Sequence, residues 1–411
     1  MRILFILLVV LLTSCHYLPK DEPIVVSMPV YTWVYEDEYI LHADGSWCPW
    51  KVGVHECKTP LPAGDYRELS TGEYRLIGKN ANSKPVPYLP SRDLCKSSLK
   101  SFNCTPNFAY SIDAPPPPPN DPMYASMWNL QKLQMNHVWK SSTGASVTVG
   151  ILDTGIDHNH PDLINTPLVG CYNAITNTEG ECFDDNGHGT HVAGTIAATL
   201  NNNLGVAGVS PGVNLVVAKF LAANGSGSLY NAIRGVNWLL GKQPDVVNHS
   251  WGGGPYNKPL EDAFKLTTFI NVIAAGNNGQ NCDIAECYPA ELDIANRISV
   301  GALDSNGALA YFSNYGKDTV QIAAPGKDII STWPGNQYRS LSGTSMAAPH
   351  VTAAIADVLG RCRSKWHDAV KCGPASIQAK LLGCAAVSKK LKGRIALRKS
   401  LRIRGCFTWQ K

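Results

Sequence analysis

Charged side chains are scarce in this chain. Asp, Glu, Lys and Arg make up 17% of its 411 residues, whereas 44% of the residues are hydrophobic. Disordered proteins show the opposite balance, so this composition predicts a large folded core. The net charge of +4 is too small to indicate a nucleic-acid partner, and we expect none.

The sequence also lacks a run of apolar residues long enough to cross a bilayer near its start, and it has no Cys-X-X-Cys pair. The apolar run from Ile3 to Leu12 is too short for a transmembrane helix. Because Arg2 precedes this run, the pattern is typical of a signal peptide, which we place at residues 1–14. The missing Cys-X-X-Cys spacing disfavours a zinc site.

A cysteine follows the apolar run. The tetrapeptide Leu12-Thr-Ser-Cys15 resembles the lipobox of bacterial lipoproteins. This resemblance implies that Cys15 becomes the lipid-modified first residue, so that the membrane is a partner and the location is the bacterial cell envelope. An ordinary signal peptide with a coincidental cysteine, and therefore secretion, stays open.

The other cysteines occur as near neighbours. Removing Cys15 from the 13 cysteines leaves an even number, as expected of disulfide pairs in an oxidising compartment. Spacing does not determine connectivity, so local pairing is a hypothesis. The neighbours are Cys48 and Cys57, Cys95 and Cys104, Cys171 and Cys182, Cys282 and Cys287, Cys362 and Cys372, and Cys384 and Cys406.

From Met123 onward, short apolar runs alternate with amphipathic segments. This alternation predicts an α/β fold with a mainly parallel sheet and helices on both faces. Ligands of such sheets bind beyond the carboxyl ends of the strands. Asp153, Ser250 and Asn277 lie at or just after predicted strand ends, which indicates a site at that edge.

Three separate segments carry residues suited to nucleophilic catalysis. Asp153 ends a buried strand, His188 enters an Ala-rich helix after a glycine turn, and Ser345 follows Gly343-Thr344 at the start of another helix. A serine needs a base to take its proton, and the base needs an acid to orient it. Taken alone, a serine in this context is more often a helix N-cap than a nucleophile, but Asp, His and Ser in this order are typical of one triad arrangement.

The forms Asp153-Thr-Gly, His188-Gly-Thr-His and Gly-Thr-Ser345-Met-Ala-Ala-Pro resemble those of the subtilisin-like serine peptidases, the subtilases, from about Asn120 to Leu401. The resemblance implies a subtilisin-like three-layer α/β fold and a serine endopeptidase acting through an acyl-enzyme. Asn277, in Ala-Ala-Gly-Asn277, resembles the residue that donates a hydrogen bond to the oxyanion. The alternative is an inactive or permanently inhibited protease-like surface binding protein.

The same resemblance implies where a polypeptide substrate binds. Ser250, Trp251 and Gly252 resemble one wall of an extended-peptide groove, Gly225 and Gly227 resemble the opposite wall, and Gly276 precedes the oxyanion residue. No cluster of acids occurs in these segments, so we expect broad or apolar specificity rather than a dibasic one.

A calcium site is also implied by the resemblance. The segment from Leu200 to Val206 resembles a subtilase loop in which an asparagine side chain and alternate carbonyls bind the ion, here Leu200, Asn202, Leu204 and Val206. Asp162 matches the carboxylate of that site. An upstream side-chain ligand is not apparent, since Tyr124 falls near its place.

The remaining chain divides by composition. Residues 15–113 resemble a small α+β propeptide, although their cysteines also suit a retained domain. Residues 114–120 form a proline-rich linker, and residues 121–411 form the predicted catalytic domain. We expect the N-terminal region to act as an intramolecular inhibitor that is cleaved on maturation, and we expect a monomer.

Overall fold

The computed structural model describes residues 116–366, 368, 370–387, 391, 399–401, 403 and 406, together with the backbone of six short strands before them. The chain divides into two compact units, residues 1–115 and 116–411. Cys15 and the predicted pairs Cys48–Cys57 and Cys95–Cys104 lie outside the described side chains. The assignment of the N-terminal region therefore stays a prediction.

The first unit contains an antiparallel sheet of four strands and a separate antiparallel pair. The order in the sheet is β3-β2-β5-β4, and β1 pairs with β6. The strands are β1 (Val34–Tyr35), β2 (Glu38–Leu41), β3 (Trp47–Trp50), β4 (Asp65–Glu68), β5 (Arg75–Gly78) and β6 (Pro85–Val86).

The second unit is built on a ten-stranded sheet in the order β17-β18-β14-β13-β12-β11-β7-β10-β8-β9. All neighbours in it are parallel except the two edge pairs, β17 with β18 and β8 with β9. This arrangement confirms the predicted α/β class with a mainly parallel sheet. Its strands are β7 (Thr148–Asp153), β8 (Leu168–Asn173), β9 (Thr178–Glu179), β10 (Asn214–Lys219), β11 (Val246–His249), β12 (Ile270–Ala274), β13 (Arg297–Leu303), β14 (Ile322–Pro325), β17 (Ala386–Val387) and β18 (Lys399–Ser400).

Helices cover both faces of the sheet because alternate strand residues point to opposite sides. On β7, Val149 and Ile151 belong to one buried cluster, while Leu152 belongs to the other. The first cluster includes residues of the helix Thr344–Trp366. The second includes residues of the helices Leu229–Lys242 and Lys258–Lys265. The helices are α1 (Trp128–Leu133), α2 (Met135–Val138), α3 (His188–Ala197), α4 (Leu229–Lys242), α5 (Lys258–Lys265), α6 (Thr344–Trp366) and α7 (Pro374–Cys384).

Two features of the fold were not predicted from the sequence. The segment before β7 forms two short helices, α1 and α2, because Gln134 between them has a left-handed φ of 56°. A hairpin of β15 (Ile329–Trp333) and β16 (Gln337–Leu341) was not predicted. It packs against α3, where Ser331 and Thr332 donate to the carbonyls of His191 and Thr190.

Four of the predicted local disulfides lie within the described residues, and all four are confirmed. They join Cys171 to Cys182, Cys282 to Cys287, Cys362 to Cys372 and Cys384 to Cys406. The described part of the chain contains no helix that is both long and apolar enough to cross a membrane.

Candidate active site

Asp153 and His188 meet at the carboxyl end of the sheet. Asp153 is the last residue of β7 and its side chain is fully buried, whereas His188 begins α3 with 25% of its side chain exposed. His188 Nδ1 lies 2.8 Å from Asp153 Oδ1. In this geometry the carboxylate holds the proton on Nδ1 and leaves Nε2 as the acceptor that a general base needs.

The environment of His188 favours its protonated form. Burial opposes the charge, but the charge and hydrogen bond of Asp153, with a further contribution from Asp184, outweigh it and raise the pKa of His188. A base with a raised pKa accepts a proton more readily, provided that the pH keeps it neutral beforehand.

Asp184 was not predicted as a site residue, yet it holds the start of α3 in place. One carboxylate oxygen accepts from the amides of Asn186 and Gly187 at 3.1 and 2.8 Å, and the other accepts from Thr190 N and Oγ1 at 2.8 and 2.6 Å. Burial opposes ionisation of Asp184, but these bonds outweigh it and lower its pKa. An Asp shortly before a helix is a capping pattern, so the sequence carried the signal.

Ser345 is the second residue of α6, and its hydroxyl donates to the carbonyl of Ser250 at 3.1 Å. Ser250 lies directly after β11, so this contact joins two of the predicted segments. Rotation of a hydroxyl group costs little free energy, and catalytic hydrogen bonds are often long or poorly aligned in the absence of substrate. The described residues include no hydrogen bond between Ser345 and His188, so a nucleophilic role for Ser345 would require its hydroxyl to turn toward His188.

Asn277 is exposed, and the turn that precedes Ser345 fixes its side chain. Its Oδ1 accepts from Thr344 N at 2.8 Å and from Thr344 Oγ1 at 3.0 Å. Gly276 N in turn donates to Thr344 Oγ1 at 3.0 Å. Because Oδ1 is engaged with protein donors, the Nδ2 group is the part of Asn277 available to donate to an oxyanion.

A cleft of about 580 Å³ extends from His188. The residues predicted to bind substrate line it, apart from Gly276, which is not among the lining residues. Those five are Gly225, Gly227, Ser250, Trp251 and Gly252.

Trp251 forms part of the cleft wall. Its ring packs edge-on against Phe220, with 4.8 Å between the centroids, and also contacts His249 and Phe264. Tyr288 and Pro289 line the cleft near Gly252. A Cβ on Gly252 would lie 3.0 Å from the Tyr288 carbonyl, so this part of the wall requires glycine or a shift of the backbone.

The predicted calcium loop contacts a second carboxylate, that of Asp121, which was not predicted from the sequence. Asp162 Oδ1 accepts from Asn202 Nδ2 at 2.8 Å, and Asp162 Oδ2 accepts from Val206 N at 2.9 Å. Asp121 is also buried and accepts from the amides of Asn201 and Asn202. Burial raises the pKa of Asp121, and the charge of Asp162 adds to that effect.

The donor set is suited to a hard cation, with one difference. Two buried carboxylates, Asp121 and Asp162, lie near enough for the charge of one to act on the other, and no hydrogen bond to the carbonyls of Leu200, Leu204 or Val206 occurs among the described residues. Asn202, however, turns its Nδ2 toward Asp162 and its Oδ1 toward Leu204 N. A cation would require the amide to turn over, which changes little in shape. No three His, Cys, Asp or Glu side chains of the described chain form a metal cluster.

Comparisons with known proteins agree with this geometry. The sequence profile of the Subtilase family matches residues 144–394. Subtilisin DY from Bacillus licheniformis is 43% identical over 224 residues, which cover 53% of this chain and 78% of that protein. Thermitase from Thermoactinomyces vulgaris is 37% identical over 260 residues, covering 62% of this chain and 90% of that protein.

A solved structure extends the comparison to the fold. The crystal structure of a cold-adapted subtilisin-like serine proteinase matches with a TM-score of 0.55 and 31% identity, over 64% of this chain and 90% of that chain. The family match covers more than half of the sequence and includes all three predicted catalytic segments. The chain therefore belongs to the subtilase family and is a subtilisin-type serine endopeptidase.

Proposed function

We propose that Ser345 is the nucleophile of this endopeptidase, His188 its general base and acid, Asp153 the residue that orients His188, and Asn277 the oxyanion donor. The observation that carries the proposal is the 2.8 Å contact between Asp153 Oδ1 and Nδ1 of His188, which lines the cleft. The binding-protein alternative is not favoured, because nothing in this geometry removes a required group.

In this proposal His188 carries the proton between the reacting groups. His188 Nε2 takes the proton of Ser345 Oγ as the oxygen attacks the scissile carbonyl, and Asp153 stabilises the imidazolium that forms. The carbonyl oxygen becomes an anion, to which Asn277 Nδ2 donates. The imidazolium then protonates the leaving amine, the acyl-enzyme forms, and water reverses these steps to release the second product.

We propose that the cleft binds an extended peptide with apolar side chains. None of the described residues that line it is Asp or Glu, so basic side chains gain no charge partner there. Its apolar lining includes Phe220, Leu221, Trp251 and Leu260. Backbone hydrogen bonds to strands of the enzyme would hold the peptide, with glycines keeping the walls clear.

We propose a structural calcium ion at the loop of Asp162 and Asn202, with Asp121 as the upstream ligand. Calcium binding is general among subtilases, and carboxylate and carbonyl oxygens are the ligands that calcium prefers. Asp121, Asp162 and the Asn202 side chain would hold it with the carbonyls of Leu200, Leu204 and Val206. The ion would neutralise two buried carboxylates and thereby stabilise the fold.

We also propose that residues 15–113 inhibit the enzyme until they are cleaved from residues 121–411, and that Cys15 anchors the precursor to a membrane. Propeptide inhibition is typical of the family. Mass spectrometry of the mature N-terminus tests both ideas. A lipid-modified Cys15 supports the anchor, whereas a first residue near 121 supports removal of the N-terminal region, and a mature chain starting at another signal-peptide site would contradict the anchor.

Turnover of an unfolded protein tests the catalytic assignment. Wild type should digest reduced, alkylated casein, and Ser345→Ala should not. Asn277→Ala should lower kcat by about 100- to 1,000-fold, the range measured for the corresponding donor in subtilisin. Asn278→Ala is the matched control, since Asn278 is an exposed neighbour and its backbone amide, not its side chain, contacts Asn314. Equal kcat for both asparagine variants would contradict the assignment of Asn277.

A further inference from the structure

Lys219, the last residue of β10, places a positive charge inside the protein beside the catalytic segments. Only 6% of its side chain is exposed. The ammonium group makes three hydrogen bonds, to Thr154 O at 2.8 Å, to Leu221 O at 2.8 Å and to Asp185 Oδ1 at 2.6 Å. A buried ammonium is costly unless it is paired, and all three of its protons have acceptors here.

Each of these acceptors belongs to a different part of the active site. Thr154 directly follows Asp153, and Lys219 lies opposite Asp153 in the parallel register of β10 and β7. Asp185 lies three residues before His188, next to Asp184. Leu221 lines the substrate cleft. One ammonium therefore connects the strand that carries the acid, the loop that carries the base, and the cleft wall.

The backbone beside Lys219 strengthens the same connection. The amides of Phe220 and Leu221 both donate to the carbonyl of Asp153, at 2.9 and 3.3 Å. Thr154 and Leu221 line the cleft, whereas Lys219 and Asp185 line a second cavity of about 460 Å³. Lys219 thus lines the second cavity, while its ammonium bonds to two residues of the cleft wall.

Asp185 is the charged partner of Lys219, and its carboxylate is neutralised by the Lys219 ammonium. Its side chain is 45% exposed, and it follows Asp184, whose carboxylate is already engaged by the start of α3. Without Lys219, Asp185 would add an uncompensated negative charge three residues before His188. The loop from Asp184 to His188 would also lose the only hydrogen bond that joins it to β10 among the described side chains.

We propose that Lys219 is a positioning residue for the reaction: its ammonium holds the end of β7, the loop before His188 and the cleft wall in one arrangement, and it neutralises Asp185. This inference rests on the catalytic roles proposed above for Asp153 and His188. Lys219 is not among the residues that line the cleft. A displacement of about 1 Å at the reacting groups can cost about 100-fold in rate, so loss of this tie should reduce kcat.

The direct test compares Lys219→Met with Lys219→Arg, using a chromogenic peptide p-nitroanilide and steady-state kinetics across pH. Lys219→Met should lower kcat at least about tenfold, with KM within about threefold of wild type. Its acid limb in kcat/KM should move to higher pH, because the uncompensated Asp185 stabilises protonated His188. Lys219→Arg keeps the charge and several donors, and should restore most of kcat and the wild-type acid limb.

Lys242→Met is the matched control for the charge change. Lys242 pairs with Glu179 at 2.6 Å on the surface, away from the cleft lining. It should leave kcat and the pH profile unchanged. If Lys219→Met loses thermal stability but keeps the wild-type kcat and acid limb, Lys219 has a structural role only and the proposal is wrong.

Asp185→Asn keeps the test decisive if Lys219→Met does not fold. This variant retains the bonds of Lys219 to both carbonyls but removes the negative charge, so the acid limb should move to lower pH with a smaller loss of kcat. If Asp185→Asn leaves the pH profile of kcat/KM unchanged, the proposed effect of the Lys219 and Asp185 charges on His188 is wrong. Wild type serves as the reference throughout: if wild type itself does not hydrolyse the peptide, the proposed catalytic roles fail rather than the role of Lys219.

Discussion

Ser250 Oγ donates a hydrogen bond to the backbone carbonyl of Ser345 at 2.8 Å, and the Ser345 hydroxyl donates back to the carbonyl of Ser250 at 3.1 Å. Pro349 explains why the Ser345 carbonyl is available. It lies four residues later within α6 and has no N–H to donate to that carbonyl. Ser345, the proposed nucleophile, is therefore held by Ser250, directly after β11, through the carbonyl that α6 leaves free.

Ser250→Ala should remove the hydrogen bond from the Ser250 hydroxyl to the Ser345 carbonyl. The Ser345 carbonyl would lose its partner, at a cost of about 1–3 kcal/mol, and kcat should fall by about tenfold as the nucleophile becomes less fixed. Ser331→Ala removes a comparable serine-to-carbonyl bond, to His191 O at 2.8 Å. It should lower the melting temperature similarly while kcat changes little. If both variants lose kcat equally, Ser250 has no specific role at Ser345.

The pH dependence of kcat/KM should report the ionisation of His188. The base must be neutral to accept a proton, so kcat/KM should fall as the pH drops through its pKa. Because Asp153 and Asp184 raise that pKa despite burial, the midpoint should lie above the ordinary value of about 6.5. Asp153→Asn should move the midpoint down and reduce kcat by about 10⁴-fold, the loss known for the same change in one triad protease. A midpoint that Asp153→Asn leaves unmoved would contradict the assignment.

The carboxyl group of Asp357 should make the fold less stable at high pH. Asp357 is completely buried in α6, where Oδ1 accepts from Ser210 Oγ at 2.8 Å and Oδ2 has no partner among the described residues. Burial raises the pKa of Asp357 well above its usual range. The pKa of Asp357 is therefore higher in the folded state than in the unfolded state. At low pH the carboxyl is protonated in both states and costs nothing. As the pH rises through the folded-state pKa, the free energy of unfolding decreases.

Asp357→Asn tests this prediction, measured in a Ser345→Ala background to prevent autolysis. The melting temperature of the variant should exceed that of its parent by an amount that grows from pH 5 to pH 9. Parallel stability curves over this range would show that Asp357 does not titrate as its burial requires.

Calcium should stabilise the protein through Asp121 and Asp162. In the same Ser345→Ala background, EGTA should lower the melting temperature, and added calcium should restore it. Asp121→Asn removes one buried carboxylate and should reduce this calcium-dependent shift at least by half. Asp262→Asn, which breaks only an exposed pair with Lys258, is the control. Identical melting in EGTA and in calcium would contradict the proposed site.

The sequence predicted those parts of the site whose chemistry is local. Asp153, His188 and Ser345 each occur in a short segment where a strand end or helix start is visible from neighbouring residues, and the alternation of segments predicts the parallel sheet. The local disulfides were predictable for the same reason, since each joins cysteines that are close along the chain.

The contacts that position these residues were not predictable, because they join distant segments. Ser250 and Ser345 are 95 residues apart, and Lys219 meets Asp185 and Thr154 across 34 and 65 residues. Asp121 lies in a stretch with no helix or strand pattern, so its approach to Asp162 depends on the folded arrangement. Such pairs become visible only when the sheet register brings them together.

Labelling by a fluorophosphonate probe tests the central claim most directly. The probe reacts with a serine only when a base activates the hydroxyl. Wild-type protein should be labelled, peptide mapping should place the adduct on Ser345, and Ser345→Ala should remain unlabelled. Labelling of Ser345→Ala at the wild-type rate, or an adduct on another serine, would contradict the assignment of Ser345 as the nucleophile.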